Sequence, residues 1–202
     1  MEIASDTLTP GEAYRLLVGA VVPRPIAWVS TLSATGTVNA APFSCFTFVS
    51  YSPPMVAISV GRKGDSLKDT PANIMRDREF VVNIADVDLA SVLHETSAEL
   101  PPDQSELDLV GLNILPSHRV AVPRIAEVPV ALECRLHDIL EFGKLKTQLI
   151  VGEVVTFHVR DDLYSNGKID SMKLRPLARL GGPRYMETGR EILSRPIPAT
   201  FG

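Results

Sequence analysis

The residues best suited to chemistry lie between Arg24 and Ile74. Lys68-Asp69-Thr70-Pro71 reads as a helix start, with Thr70 as N-cap and Pro71 as the first helical residue. Arg62 and Lys63 stand a few residues upstream. A helix N-terminus presents free backbone N–H groups and a partial positive charge, so a hydroxyl and two or three cations beside it make a phosphate site. An ordinary capped helix with solvated lysines fits the same spacing. The second candidate is Asn39-Ala-Ala-Pro-Phe-Ser-Cys-Phe46. Its small side chains let backbone approach a flat heteroaromatic ring, while Asn39 and Ser44 supply fixed polar contacts. A β-bulge or turn between two strands is the simpler account of it.

These residues need a frame. Pro10 to Leu17 reads as a short helix, Ile26 to Leu32 as a strand, and Ser33 to Gly36 as the turn of a hairpin into Val38 to Ala41. Met55 to Val60 follows Pro53-Pro54 as a near-continuous apolar run, the pattern of a strand covered on both faces. A helix over Pro71 to Asp77 leads to a strand at Glu79 to Ile84 and a short helix at Leu89 to Ala98. Leu100 to Gly111, acidic and with paired prolines, reads as a surface excursion. Val128 to Leu140 and Leu149 to Val159 are long β-rich runs that should pair antiparallel across Glu141 to Lys146. At least six strands with only short helices favour a mainly β fold, an antiparallel barrel with peripheral helices, over alternating βαβ units. The expectation is one domain over 1–202, with the barrel over about 18–172 and an extended tail over 173–202.

Composition narrows the function. A net charge of −4 with scattered Lys and Arg lacks the footprint of a nucleic-acid binder. No apolar run approaches the roughly 18 residues of a membrane span, and Met1 to Asp6 lacks a signal-peptide pattern, so a cytoplasmic protein is expected. Cys45 and Cys134 are far apart and argue against a disulfide scaffold. Cys45 reads as a small buried hydrophobe or as a redox thiol beside a ring. Trp28 reads as core. His94, His118, His137 and His158 are dispersed and lack metal-ligand spacing, which gives an expectation of no metal site.

The order of blocks carries a resemblance. Arg24-Pro-Ile-Ala-Trp-Val-Ser-Thr31, Asn39-Ala-Ala-Pro-Phe-Ser44, Pro53-Pro-Met-Val56, Lys68-Asp-Thr70 with Asn73-Ile74, and Glu79-Phe-Val-Val-Asn-Ile84 resemble the flavin reductase-like family of FMN-binding split barrels. Ile150-Val-Gly-Glu-Val154 and Arg179-Leu-Gly-Gly-Pro-Arg-Tyr185 are similar to its longer, flavoredoxin-like branch. The resemblance implies a six-stranded split β-barrel, a homodimer, and FMN near the subunit interface. The isoalloxazine would lie against Ser44, Cys45, Phe46 and Thr47, the phosphate among Ser59, Arg62, Lys68 and Thr70, and Asn39, Val60 and Gly61 would complete the cofactor-binding set. NADH or NADPH would be a transient hydride donor to flavin N5, with free flavin, a small acceptor, a monooxygenase or another redox partner downstream. A flavin-binding electron carrier reduced by a partner protein is the alternative. Short flavin reductases often carry a His before the Val-Gly-Glu-Val-like strand. This chain has Lys146-Thr147-Gln148 there, with His158 beyond the motif, so no nicotinamide-contacting histidine is carried over. Arg179 and Tyr185 would either reach the cofactor or fix the tail.

Overall fold

A computed structural model describes residues 1–64, 66–101, 104–187 and 189–192. The final stretch of the expected tail, 193–202, lies outside the described residues. In chain order the elements are α1 (Pro10–Ala20), β1 (Arg24–Pro25), β2 (Ala27–Leu32), β3 (Val38–Phe43), β4 (Phe46–Tyr51), β5 (Pro54–Val60), α2 (Asp69–Asp77) and β6 (Glu79–Ile84). They continue with α3 (Ala90–Glu95), α4 (Glu106–Val110), β7 (Ile114–Leu115), β8 (Arg124–Ile125), β9 (Val130–Phe142) and β10 (Thr147–Val159). The chain then forms β11 (Tyr164–Ser165), β12 (Lys168–Ile169), α5 (Ser171–Leu174), β13 (Ala178–Arg179) and β14 (Tyr185–Met186). Among the described residues no helix is long and apolar enough to cross a membrane.

A seven-stranded antiparallel sheet in the order β3-β2-β6-β9-β10-β5-β4 dominates the molecule. Its strands β2 and β6 are apolar on both faces because both faces are covered. Side chains alternate, so Ala27 and Val29 of β2 and Phe80 and Val82 of β6 enter one core with Ile58 and Ile150. Trp28 and Val81 point the other way, into a second core with Leu93, Leu107 and Ile125. Trp28 is core, as expected, and its Nε1 has no partner among the described residues.

The two hairpins expected from the sequence form. β2 pairs with β3 from Leu32↔Val38 to Ala27↔Phe43, and Gly36 at φ 84° shapes the turn. β9 pairs with β10 around a turn in which Gly143 and Lys146 both have positive φ. Helix α1 runs past Leu17 to Ala20, and Thr9 and Glu12 form a capping box at its start.

Four expectations change. The break assigned to Asn39–Phe46 shrinks to Ser44 and Cys45, because β3 keeps its register through Pro42. As an edge strand it loses no ladder bond to that proline. The chain re-enters as β4, a strand not separated in the expected element order, so the sheet has seven strands where at least six were expected. The helix expected over Leu89–Ala98 divides into a short 3₁₀ turn, Val87–Leu89, and α3. The Leu100–Gly111 excursion contains α4, whose Glu106 and Leu107 are buried. Leu107 joins the second core, and its burial draws this acidic segment inward.

Two of the histidines taken as dispersed converge. His118, Glu133 and His158 bring their ligand atoms within 4.8 Å of one another. Fully buried Glu133 accepts from the backbone N–H groups of His118 at 2.7 Å and Arg119 at 2.6 Å, and its Oε1 lies 2.5 Å from His158 Nε2. Burial pushes this carboxyl up, and the hydrogen bonds from His118, His158 and Arg119 outweigh it and hold the group below its ordinary value. The cluster thus pins the 117–121 segment to the sheet.

Gly152 of β10 is a packing requirement. A Cβ there would lie 2.3 Å from Cζ of the fully buried Phe80. Gly152→Ala is expected to cost about 1–3 kcal/mol in urea unfolding by overpacking. Part of the loss should return when Phe80→Leu is added, and unchanged stability in the single variant would contradict this packing.

Candidate functional site

The site begins at the edge strand. Asn39 Nδ2 donates to Glu106 Oε1 at 2.7 Å, and the Ala40 N–H donates to Glu106 Oε2 at 2.9 Å. Asn39 Oδ1 accepts from Thr70 Oγ1 at 3.1 Å and from Thr31 Oγ1 at 3.3 Å. Asn73 Nδ2 extends the chain to Thr31 at 3.1 Å. One buried polar network therefore ties β2, β3, α2 and α4 together. Burial raises the Glu106 carboxyl, bonds from the Ala40 and Glu106 N–H groups and from Asn39 oppose this, and repulsion from Asp69 adds to it.

This network corrects the expected helix start. The N-cap is Lys68, which makes no side-chain cap, and Asp69 begins the helix. Thr70 lies inside α2 because its buried hydroxyl is spent on Asn39 rather than on an orphan amide. The amides of Asp69 and Thr70 still precede the first intrahelical bond, from Ala72 N–H to the Lys68 carbonyl at 3.2 Å. Asp69 and Thr70 line a cavity of about 290 Å³ whose wall also includes Asn39, Lys63, Lys68, Thr96 and Glu106. Acidic groups share that wall, and Lys63 Nζ pairs with Glu99 at 2.5 Å. An entering phosphate would compete with Glu99 for Lys63.

A second cavity, of about 270 Å³, adjoins the first, since Pro42 and Ser97 border both. Ser44, Arg24, Arg179 and Tyr14 line it. Arg24 is buried. Its Nη1 donates to the α1 carbonyls of Val18 at 2.8 Å and to that of Val21 at 2.7 Å, its Nη2 to the Leu180 carbonyl, and its Nε to Ser44 Oγ at 3.4 Å. One guanidinium thus holds helix α1, the tail and the Ser44 corner in register. The tail is further fixed by Tyr185, whose hydroxyl meets Arg179 Nη1 and lies 2.9 Å from His94 Nδ1.

The other expected residues are placed differently. The Cys45 carbonyl accepts from the Ser59 N–H at 2.8 Å, which locks the corner to β5. The Cys45 side chain is exposed, contrary to the buried reading, because the chain leaves the ladder there. Phe46 packs against the first core, Val60 is buried within it, and Thr47 and Gly61 are exposed. Arg62 Nη1 reaches Glu141 at 3.3 Å. Asn39, Lys68 and Thr70 therefore meet at one cavity and Ser44 at the next. Ser59, Val60, Gly61, Arg62, Cys45, Phe46 and Thr47 line neither.

Sequence reading missed Glu106 and the role of Arg24. An arginine opening an apolar strand was a usable signal for Arg24. Glu106 gave none, since an acid in an acidic, proline-flanked stretch reads as solvated.

The flavin reductase like domain model matches residues 18–174 of this chain. The chain belongs to the flavin reductase-like family. An uncharacterized protein of Halalkalibacterium halodurans is 42% identical over 202 residues, covering 97% of each chain. Nitrilotriacetate monooxygenase component B from Bacillus cereus superposes with a TM-score of 0.93 at 35% identity, over 96% of this chain and 98% of that one. The 2-nitrobenzoate 2-nitroreductase NbaA of Pseudomonas fluorescens gives 0.88 at 35% identity, over 99% and 100%. Within this flavin reductase-like chain the matched region holds all of the Asn39–Glu106 network and ends before Arg179.

Glu106→Ala leaves the buried Ala40 N–H without an acceptor and should cost about 1–3 kcal/mol in urea unfolding. Glu106→Gln should show a pH signature. A carboxyl raised in the folded state contributes fully below its ordinary value of 4.5 and loses that contribution as pH rises through the folded value. The Gln variant should therefore gain on the wild type as pH rises above about 4.5. Parallel pH profiles would contradict the raised value.

Proposed function

We propose that the chain is an FMN-dependent oxidoreductase that takes hydride from NADH or NADPH and passes electrons to free flavin or a small acceptor. The observation that carries this reading is the adjacency of two cavities: a lysine-bearing helix start at Asn39, Lys68 and Thr70 opens beside the Ser44 corner across Pro42 and Ser97. The donors suit a phosphate at one end and a ring at the other. Lys68, the Thr70 N–H and Lys63 would hold the phosphate, with Ser59 and Arg62 supporting the β5 end. Pro42, Phe43 and Ser44 would orient the ring, and backbone N–H groups over Ser44–Thr47 would face its polar edge. Bound FMN supplies hydride acceptance at N5 and electron transfer onward. The protein needs no nucleophile of its own and serves to position, desolvate and tune.

The sheet would close as the split barrel of the family, in one domain with the tail from 173 onward laid against it. We read the protein as a cytoplasmic homodimer. Phe48, Val49 and Tyr51 of the edge strand β4 are exposed and apolar, as are Phe142 and Leu145 at the β9–β10 turn, and a second copy would cover them. The names of the relatives, a monooxygenase component and a nitroreductase, support a small acceptor or a monooxygenase partner.

A flavoredoxin-like electron carrier is the second reading. It draws on Gln148, which stands where short flavin reductases place a histidine; its side chain is buried and Oε1 has no partner among the described residues. Stopped-flow reduction separates the two. The oxidoreductase reading expects a yellow protein whose flavin band is bleached anaerobically by NADH or NADPH. Negligible bleaching with FMN in place would establish the carrier, and a protein that cannot be loaded with FMN would sink both. Lys68→Ala should weaken FMN binding roughly tenfold, as expected for a charge-assisted phosphate contact.

A further inference from the structure

The cavity beside Ser44 has an uneven chemistry that flavin binding leaves unexplained. Arg24 and Arg179 line it, and among the described residues no Asp or Glu does. The Arg24 guanidinium is committed to three carbonyls and Ser44, so it fixes the wall rather than offering free donors. Arg179 differs. Only its Nη1 is used, on the Tyr185 hydroxyl, and its guanidinium lies 4.4 Å over the Tyr185 ring. That stacking and the hydrogen bond hold the group in one orientation, while Nε and Nη2 have no acceptor among the described residues. Such a pre-oriented planar fork matches a carboxylate.

The rest of the wall selects the body that carries the anion. Val18, Ile26, Pro42 and the Tyr14 ring are apolar or aromatic, and Gly181 and Gly182 leave the tail side open, with nothing within 4 Å of an added Cβ. At about 270 Å³ the space falls below the roughly 300–1,000 Å³ of drug-sized pockets. It suits one ring better than a dinucleotide. We propose that this cavity is a second-substrate subsite for small aromatic carboxylates, with Arg179 as the anion-recognising residue and Tyr185 positioning it. The proposal rests on the flavin reading above, with the ring against Pro42 and Ser44 at the border shared with the first cavity, so that a small molecule seated toward Arg179 lies beside it.

Calorimetric titration with benzoate and benzamide, each with FMN-loaded and FMN-free protein, tests the subsite. Wild-type protein should bind benzoate at least about tenfold more tightly than benzamide. Arg179→Gln should erase that preference while leaving FMN affinity unchanged, and Arg179→Lys, which keeps the charge without the fork, should retain only part of it. Tyr185→Phe should weaken benzoate and spare benzamide. Equal binding of the two probes, or no benzoate binding, overturns the proposal. So does loss of FMN binding in Arg179→Gln, which would assign Arg179 to the cofactor. If wild-type protein takes no FMN, the function proposed above falls, while the FMN-free titration still reads the cavity.

Discussion

The buried hydrogen bonds between Glu106, Asn39 and Thr70 are the constraint on which the site depends. They join an edge strand to the first turn of a helix through the half-buried Asn39 and the buried Thr70 and Glu106, where an unpaired polar group is costly and a paired one is rigid. Because Thr70 is held there, α2 starts at Asp69 with no side-chain cap from Lys68, and its first residues line the cavity. Because Asn39 and Ala40 are held there, β3 keeps its register up to Phe43, and the corner at Ser44 falls at a fixed distance along the strand. The carboxylate at the centre bears the desolvation cost of this arrangement.

The sheet explains why the site sits where it does. Strands in its middle are buried on both faces and have no surface left to offer a ligand. β3 and β4 are the edges, and the Ser44–Cys45 link between them is where the chain leaves one edge for the other. Backbone groups and small side chains become available there without weakening the core. Arg24 completes the arrangement from the far side by binding the end of α1 and the tail to the same corner.

Legibility followed sequence range. Hairpins, both-face strands and the helix after Thr70 were readable because alternation, turn residues and an apolar run are local signals. The Asn39, Lys68 and Thr70 cluster was readable residue by residue, and the family resemblance joined it to a flavin. What was hidden depended on partners distant in sequence. Pro42 looked like a break because nothing local says that a strand will lie at an edge. Thr70 looked like a cap because its competing acceptor is Asn39. Glu106 looked solvated because its burial is imposed by Leu107 next to it and by β3 across the fold. His118 and His158 looked unrelated until the β9–β10 pairing brought Glu133 between them.

The central claim is that the Asn39–Thr70 network aims the start of α2 at the phosphate of a flavin whose ring rests on the Ser44 corner. A crystal structure of the protein with FMN tests it most directly. The account predicts phosphate oxygens within hydrogen-bonding distance of the Thr70 N–H and Lys68, with the ring against Pro42 and Ser44. A phosphate seated instead between Arg24 and Arg179, or a flavin away from β3, would contradict it.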